Sequence, residues 1–184
     1  DESNVHKPYR PKSRGIGNSQ ILPYDYHLQA DIELVFREMA EQVAIRLRRK
    51  KKKSQLVSIH ASYSKIEGLP SIHCQQKIEP TQSTKVLSDT VLRLFRSKYE
   101  GGAIRQIGVF YGELVEESLQ LFSLFDDPVA LEKEEKLQQT IDRIRDQFGF
   151  TSLQKGSSLL ENSRAIARSK LTGGHSVGGL DGLT

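Results

Sequence analysis

The sequence predicts an α+β fold whose elements run strand, helix, strand, strand, helix, strand. Three observations predict it. Apolar residues alternate singly along two short segments joined by Gly68-Leu69-Pro70, the pattern of an antiparallel hairpin with one buried face. Two other segments repeat their apolar residues at three and four, as a helix with one buried stripe does. Glycine and proline fall mostly between these segments, where the chain must turn.

Residues 1–11, with Pro8 and Pro11 flanking Tyr9-Arg10, read as an extended linker. A first strand is expected over 15–22, although its glycines weaken the pattern. Ile32, Val35, Phe36, Met39, Val43 and Leu47 then predict an amphipathic helix of about 20 residues. Asp25 or Asp31 stands near its start, and the basic run from Arg46 to Lys53 closes it, favourably for the helix dipole. The four lysines 50–53 are either a solvated helix end or a phosphate contact.

Val57, Ile59, Ala61 and Tyr63 alternate with Ser58, His60, Ser62 and Ser64, which predicts a second strand. Beyond the turn, Ile72 and Cys74 alternate with Ser71, His73, Gln75 and Lys77. Pro80-Thr81 is expected to open a second helix with the stripe Val86, Leu87, Val91, Leu94 and Phe95. Gly101-Gly102 ends that element, and 103–111 reads as the last strand. This order is the split βαβ arrangement of ferredoxin-like domains, with both helices on one face of the sheet.

The other sheet face then stays open. By parity it shows Ser58, His60, Ser62, Ser64, Ser71, His73, Gln75 and Lys77, a donor-rich set suited to phosphate and sugar oxygens. Tyr63 has the buried parity and no other aromatic sits in the hairpin strands, so base stacking is not expected on this face. Charge points the same way. Residues 1–113 hold 19 Lys/Arg against 12 Asp/Glu, +7, whereas 114–184 hold 8 against 11, −3. A basic module followed by an acidic appendage is the footprint of a polyanion binder.

Past the module, Gln120-Leu121-Phe122-Ser123-Leu124-Phe125 is a short apolar peptide fenced by charge and proline. Asp127-Pro128 looks like a helix cap followed by proline at the first position. Leu137, Ile141, Ile144 and Phe148 repeat at helical spacing and Gly149 ends the helix, giving an amphipathic helix over 129–150. A stripe this narrow docks on the main domain or on a partner. Residues 151–184, rich in Gly, Ser and Thr, are expected to be a poorly ordered tail.

Several function classes find no support. No apolar run approaches the roughly 18–20 residues of a membrane span, and one cysteine, Cys74, cannot form an internal disulfide. No membrane partner is expected and the cytoplasm is the default location. His60 and His73 face the open side while Cys74 faces the core, so no metal site is expected. Gly15-Ile16-Gly17 lacks the rest of a dinucleotide fingerprint. No catalytic residues and no cofactor are expected in this chain.

Lys12-Ser13-Arg14-Gly15-Ile16-Gly17-Asn18-Ser19, the hairpin beginning Val57-Ser58-Ile59, Pro80-Thr81, and Ile104-Arg105-Gln106-Ile107-Gly108-Val109 follow one another in an order that resembles the Y-family translesion DNA polymerases. The likeness is to their C-terminal little-finger domain, nearest the UmuC-like branch of Gram-positive bacteria and their mobile elements. It covers roughly residues 5–125, and the tail is also similar.

The resemblance implies a little-finger domain over 12–115 that grips primer–template DNA for repair and SOS damage tolerance. The DNA-binding residues it implies are Lys12, Ser13, Arg14, Gly15, Gly17, Asn18 and Ser19 on the first strand, with Lys65, His73, Gln75, Lys77 and Arg105 around the hairpin and last strand. It also implies a sliding-clamp-binding segment over 116–128, in which Gln120, Leu121, Leu124 and Phe125 match the form Gln-Leu-Ser-Leu-Phe with Phe122 extra. A shifted register, 121–125, keeps the spacing and loses the glutamine. Opening on Asp1-Glu2-Ser3, the chain reads as a fragment whose palm domain, with its Mg2+ ions, lies upstream. The alternatives are a truncated, non-catalytic module of a mobile element that occupies DNA or the clamp, and an unrelated RNA-binding domain of the same topology.

Overall fold

Helix α1 (Gln29–Arg49) buries the whole stripe Ile32, Val35, Phe36, Met39, Val43 and Leu47. Each such side chain contributes roughly 1.5–3 kcal/mol before conformational entropy is counted. The computed structural model describes residues 15–118 and 128–170. The predicted linker at 1–11, the Lys12-Ser13-Arg14 stretch, the apolar peptide and its Asp126-Asp127 fence, and the tail from 171 lie outside the described residues.

Four strands form one sheet: β1 (Ile16–Tyr26), β2 (Lys52–Tyr63), β3 (Ile72–Thr81) and β4 (Ile104–Glu116). They are antiparallel in the order β1-β4-β2-β3. Each strand–helix–strand unit therefore brackets a strand of the other unit, the split arrangement expected. Helix α1 and helix α2 (Thr84–Arg96) pack together on one face. The fully buried Tyr111 hydroxyl donates to the Ala40 carbonyl at 3.0 Å, fixing α1 to β4.

Local boundaries differ from expectation for identifiable reasons. Pro80 and Thr81 close β3 rather than opening α2. An edge strand tolerates a residue without an N–H, and a register shift between Ser54 and Leu56 takes up the slack there. The buried Ser54 hydroxyl donates to the Gly112 carbonyl at 2.8 Å within that irregularity. Helix α2 starts from Ser83, whose hydroxyl accepts from the Val86 N–H, so Val86 sits in the exposed first turn rather than in the core stripe. Strand β1 runs on to Tyr26 because Pro23 also lies on an edge. Asp25 consequently belongs to β1, where it accepts from Ser64 at 2.6 Å; Asp31 alone occupies the first turn of α1. Ser64 is buried by that bond and leaves the open face. The lysine run splits: Lys50 caps α1, Lys51 (φ 51°) turns the chain, and Lys52 and Lys53 begin β2.

Helix α3 (Pro128–Phe148) begins with proline at its first position, as predicted. The bonds that join it to the main domain come from polar side chains, and of its apolar stripe only Ile141 and Ile144 are half-buried. Arg48 of α1 holds Asp142 with Nε–Oδ2 at 2.5 Å, Thr84 donates to Gln138 at 3.0 Å, and Arg49 pairs with Asp146. Leu137 and Phe148 stay exposed, 58% and 66%. In place of a poorly ordered tail, residues 150–170 wrap around α1 as two short 3-10 turns and helix α4 (Ala165–Ser169).

Phe150 and Ala165 are the apolar anchors of this wrap; hydrogen bonds supply the rest. Arg145, buried beneath the Phe150 ring at 4.7 Å, bonds Glu41 at 2.8 Å and the Leu153 carbonyl at 2.9 Å. Glu38 accepts from the Ser163 hydroxyl and from the Arg164 N–H. The Asn162 side-chain amide donates to Asp31 at 2.8 Å, while the Asn162 backbone carbonyl accepts from the Tyr26 hydroxyl.

Candidate nucleic-acid interface

The face of the sheet opposite α1 and α2 carries cross-strand rows fixed by the register. One is Ile21, Gln106 and Ser62; the next is Ser19, Gly108, His60 and His73; the third is Gly17, Phe110, Ser58 and Gln75; and beyond these three Gly112, Leu56 and Lys77 form a fourth. No carboxylate stands in these rows. At one end Lys77 pairs with Glu113 at 3.1 Å, and at the other Arg105 lies 3.8 Å from Asp25. A hollow of about 530 Å³ opens in the middle, walled by Ser19, Ser58, His60 and Phe110. Gly108 is its floor: a Cβ there would meet Ser19, the Asn18 carbonyl and His60 at 3.4–3.8 Å.

Of the residues expected on this face, Gly17, Ser19, His73, Gln75 and Lys77 are placed on it by the register, and His73, Gln75 and Lys77 are exposed. Asn18 is not. It pairs with Val109, a core residue, so strand alternation turns its side chain toward the helices. Lys65 sits in the turn after β2, off the sheet. Lys12, Ser13 and Arg14, and the clamp-segment residues Gln120, Leu121, Leu124 and Phe125, lie outside the described residues.

An aromatic does stand on the face. Phe110 of β4 fills the space left by three glycines: a Cβ on Gly15, Gly17 or Gly112 would approach its ring at 2.1, 2.9 and 3.0 Å. The signal was the alternation Gly108, Phe110, Gly112 opposite the buried Ile107, Val109 and Tyr111. Phe110 lies outside the β2–β3 hairpin.

His60 and His73 are cross-strand partners with ring centroids 4.5 Å apart. His60 Nε2 bonds the Ser62 hydroxyl at 2.9 Å, which in turn bonds the Ser71 hydroxyl at 2.9 Å. Burial, with His73 as a second cause, holds the His60 imidazole below its ordinary value. The Cys74 thiol is pushed up by burial and faces α2, meeting the Leu94 carbonyl. Among the described residues no group of His, Cys, Asp and Glu is arranged to hold a metal ion. No helix among them is long and apolar enough to cross a membrane.

The model of the impB/mucB/samB family C-terminal domain matches residues 13–123, and the chain belongs to that family. UvrX of Bacillus subtilis is 32% identical over 95% of this chain, and DNA polymerase IV 2 of Halalkalibacterium halodurans is 31% identical over the same share. The chain spans 42% of the length of each. The Y-family resemblance read from the sequence therefore holds. A solved complex of the beta-clamp processivity factor with the little finger domain of PolIV aligns over 61% of this chain and 100% of that one. Its TM-score is 0.45 and its identity 12%, a likeness too slight to argue from.

Proposed function

We propose that this chain is the DNA-gripping, little-finger portion of a translesion DNA polymerase, acting in damage tolerance in the cytoplasm. The observation that carries the reading is the open face: rows of hydroxyl, amide, imidazole and glycine, interrupted by Ile21, Leu56 and Phe110 and ending at Lys77, with no carboxylate in them, in a chain belonging to this family. Gly15, Gly17, Ser19, His73, Gln75, Lys77 and Arg105 contact the backbone of primer–template DNA, and Lys12, Ser13, Arg14 and Lys65 are assigned the same role. Contact of this kind is independent of base sequence.

Gln120, Leu121, Leu124 and Phe125 tether the domain to the sliding clamp, Leu124 and Phe125 being the apolar anchors. The reading assigns nucleotidyl transfer, and the Mg2+ ions it needs, to a palm domain outside this sequence. The exposed Leu137 and Phe148 of α3 are left as the surface that another repair protein would meet.

Titrating the chain with labelled primer–template duplex at 50 and 200 mM salt tests the reading. The expected result is binding that weakens steeply with salt, with a log–log slope near −0.9 per phosphate neutralised. Absent or salt-insensitive binding would overturn it, and preference for single-stranded RNA would favour the unrelated RNA-binding domain.

A further inference from the structure

We propose that His60 and His73, with Ser62 and Ser71, form a phosphodiester-binding station on the open face that takes up one proton as it binds. The inference rests on the open face being the DNA surface and names how one part of that surface is regulated. It is argued from the hydrogen-bond chain Ser71–Ser62–His60 and from the pairing of the two rings.

With His60 neutral and its Nε2 unprotonated, Ser62 donates to Nε2 and Ser71 donates to Ser62. Both serine protons then point inward along the chain, and neither is available to an anion. Protonating Nε2 reverses the order: the imidazolium donates to Ser62, Ser62 donates to Ser71, and the Ser71 hydroxyl is released to donate outward. The proton comes from solvent and no covalent bond is made or broken. One event thus supplies a positive ring and a free hydroxyl on the same patch, the pair of groups a phosphodiester oxygen requires.

The neighbours allow one proton and discourage two. With ring centroids 4.5 Å apart, two imidazolium charges would repel. The faces toward β1 and β4 present Ser19, Ile21, Gln106, Gly108 and Phe110, none of them charged. On β3 the next charged group is Lys77, paired with Glu113. Beyond His73, the hollow at the hairpin end holds Glu67, Lys98 and Glu100, two acids against one base. In the free protein burial and His73 favour the neutral His60 ring. An arriving phosphate reverses that preference, so binding and proton uptake are linked.

The test uses the 184-residue chain and rhodamine-labelled primer–template duplex, with anisotropy read at pH 8 and pH 6 at fixed ionic strength. Wild type is expected to bind about fivefold tighter at pH 6. His60→Gln/His73→Gln should weaken binding at both pH values and abolish the pH dependence, whereas Lys77→Ala should weaken binding at both pH values and leave the roughly fivefold pH dependence in place. A double variant that keeps the wild-type pH dependence would overturn the proposal. So would a wild type that binds DNA equally at both pH values, and in that case the DNA-face reading would stand. No binding at either pH would overturn both. A titration of the wild-type His60 resonance by NMR requires no substitution: it must titrate at higher pH with duplex present, and an unchanged midpoint would overturn the station.

Discussion

The Phe110 ring occupies the place of a side chain on Gly15, where an added Cβ would come within 2.1 Å of Phe110 Cζ and 2.8 Å of the Tyr111 carbonyl. Gly15 and Gly17 have one role as proposed contacts of the DNA backbone. Packing gives them a second one that holds in the free protein. Gly17→Ala, whose Cβ would meet both the ring at 2.9 Å and the Val109 carbonyl at 3.0 Å, should cost about 1–3 kcal/mol by overpacking. Urea denaturation checks this. Adding Phe110→Ala should recover part of the loss, because the ring is then gone while the backbone carbonyl remains. A glycine needed only for DNA would show no change in folding stability.

Arg145 joins the C-terminal wrap to α1 through Glu41, the Leu153 carbonyl and the Phe150 ring. Its side chain is 7% exposed, so these bonds are shielded from competing water. Arg145→Ala should cost about 3 kcal/mol, since it strands a buried acceptor and halves the charge compensation of Glu41. Hydrogen exchange should show protection lost first across 150–170, with the sheet little affected. Uniform loss across the chain would mean that the wrap and the domain unfold as one unit.

The charge split at Glu113 was legible in the sequence, but its use was only partly so. Some of the basic excess meets the chain's own acidic appendage: Arg48 and Arg49 pair with Asp142 and Asp146, and Lys52 with Glu116. A count of charges cannot separate cations held for a polyanion from cations already paired. The stripe of α1 was legible because one face of it meets the sheet and α2. The burial of Glu33 and Glu38 was not, since it depends on Arg96 and on the wrap at 163–164. Helix α3 misled for a related reason. Its apolar residues fixed its length, while its docking follows Gln138, Asp142 and Arg145, which lie on an adjacent stripe. Alternation alone places Ser58, His60, His73, Gln75 and Lys77 on the hairpin face, whereas the burial of Ser64 depends on Asp25 of β1 and Phe110 belongs to β4, outside the hairpin.

Acid should loosen the molecule. Glu33 is held below the ordinary 4.5 chiefly by its bond to Arg96. At Glu41 burial acts upward, but Lys155 and Arg145 together outweigh it and the net shift is down. A carboxyl that is more acidic folded than unfolded adds stability above its unfolded value, and that stability is lost as pH falls through the folded one. Glu38 runs the other way: burial raises it, so its protonation favours the folded state and offsets part of the loss. Urea midpoints should therefore ease down as pH falls through about 6.5, where the unfolded chain protonates an imidazole that burial keeps neutral at His60, and fall further below about 4.5. Glu38→Gln should steepen that fall by removing the offsetting group; an unchanged profile would mean that Glu38 is not the group opposing it.

The apolar peptide gives a separation of functions that the DNA face cannot give. In the proposed tether Leu124 and Phe125 fill a pocket of the sliding clamp, and such anchors carry most of the energy of a small interface. Leu124→Ala/Phe125→Ala should lower clamp affinity at least 100-fold, about 2.7 kcal/mol, in surface plasmon resonance against immobilised clamp. Binding to primer–template DNA and the thermal midpoint should be unchanged. Gln120→Ala distinguishes the registers: it should weaken clamp binding if the motif starts at Gln120 and leave it unaltered if the motif is 121–125. A drop in thermal midpoint matching the loss of clamp binding would instead make the two side chains part of the domain's own core, and the tether would have to be sought elsewhere.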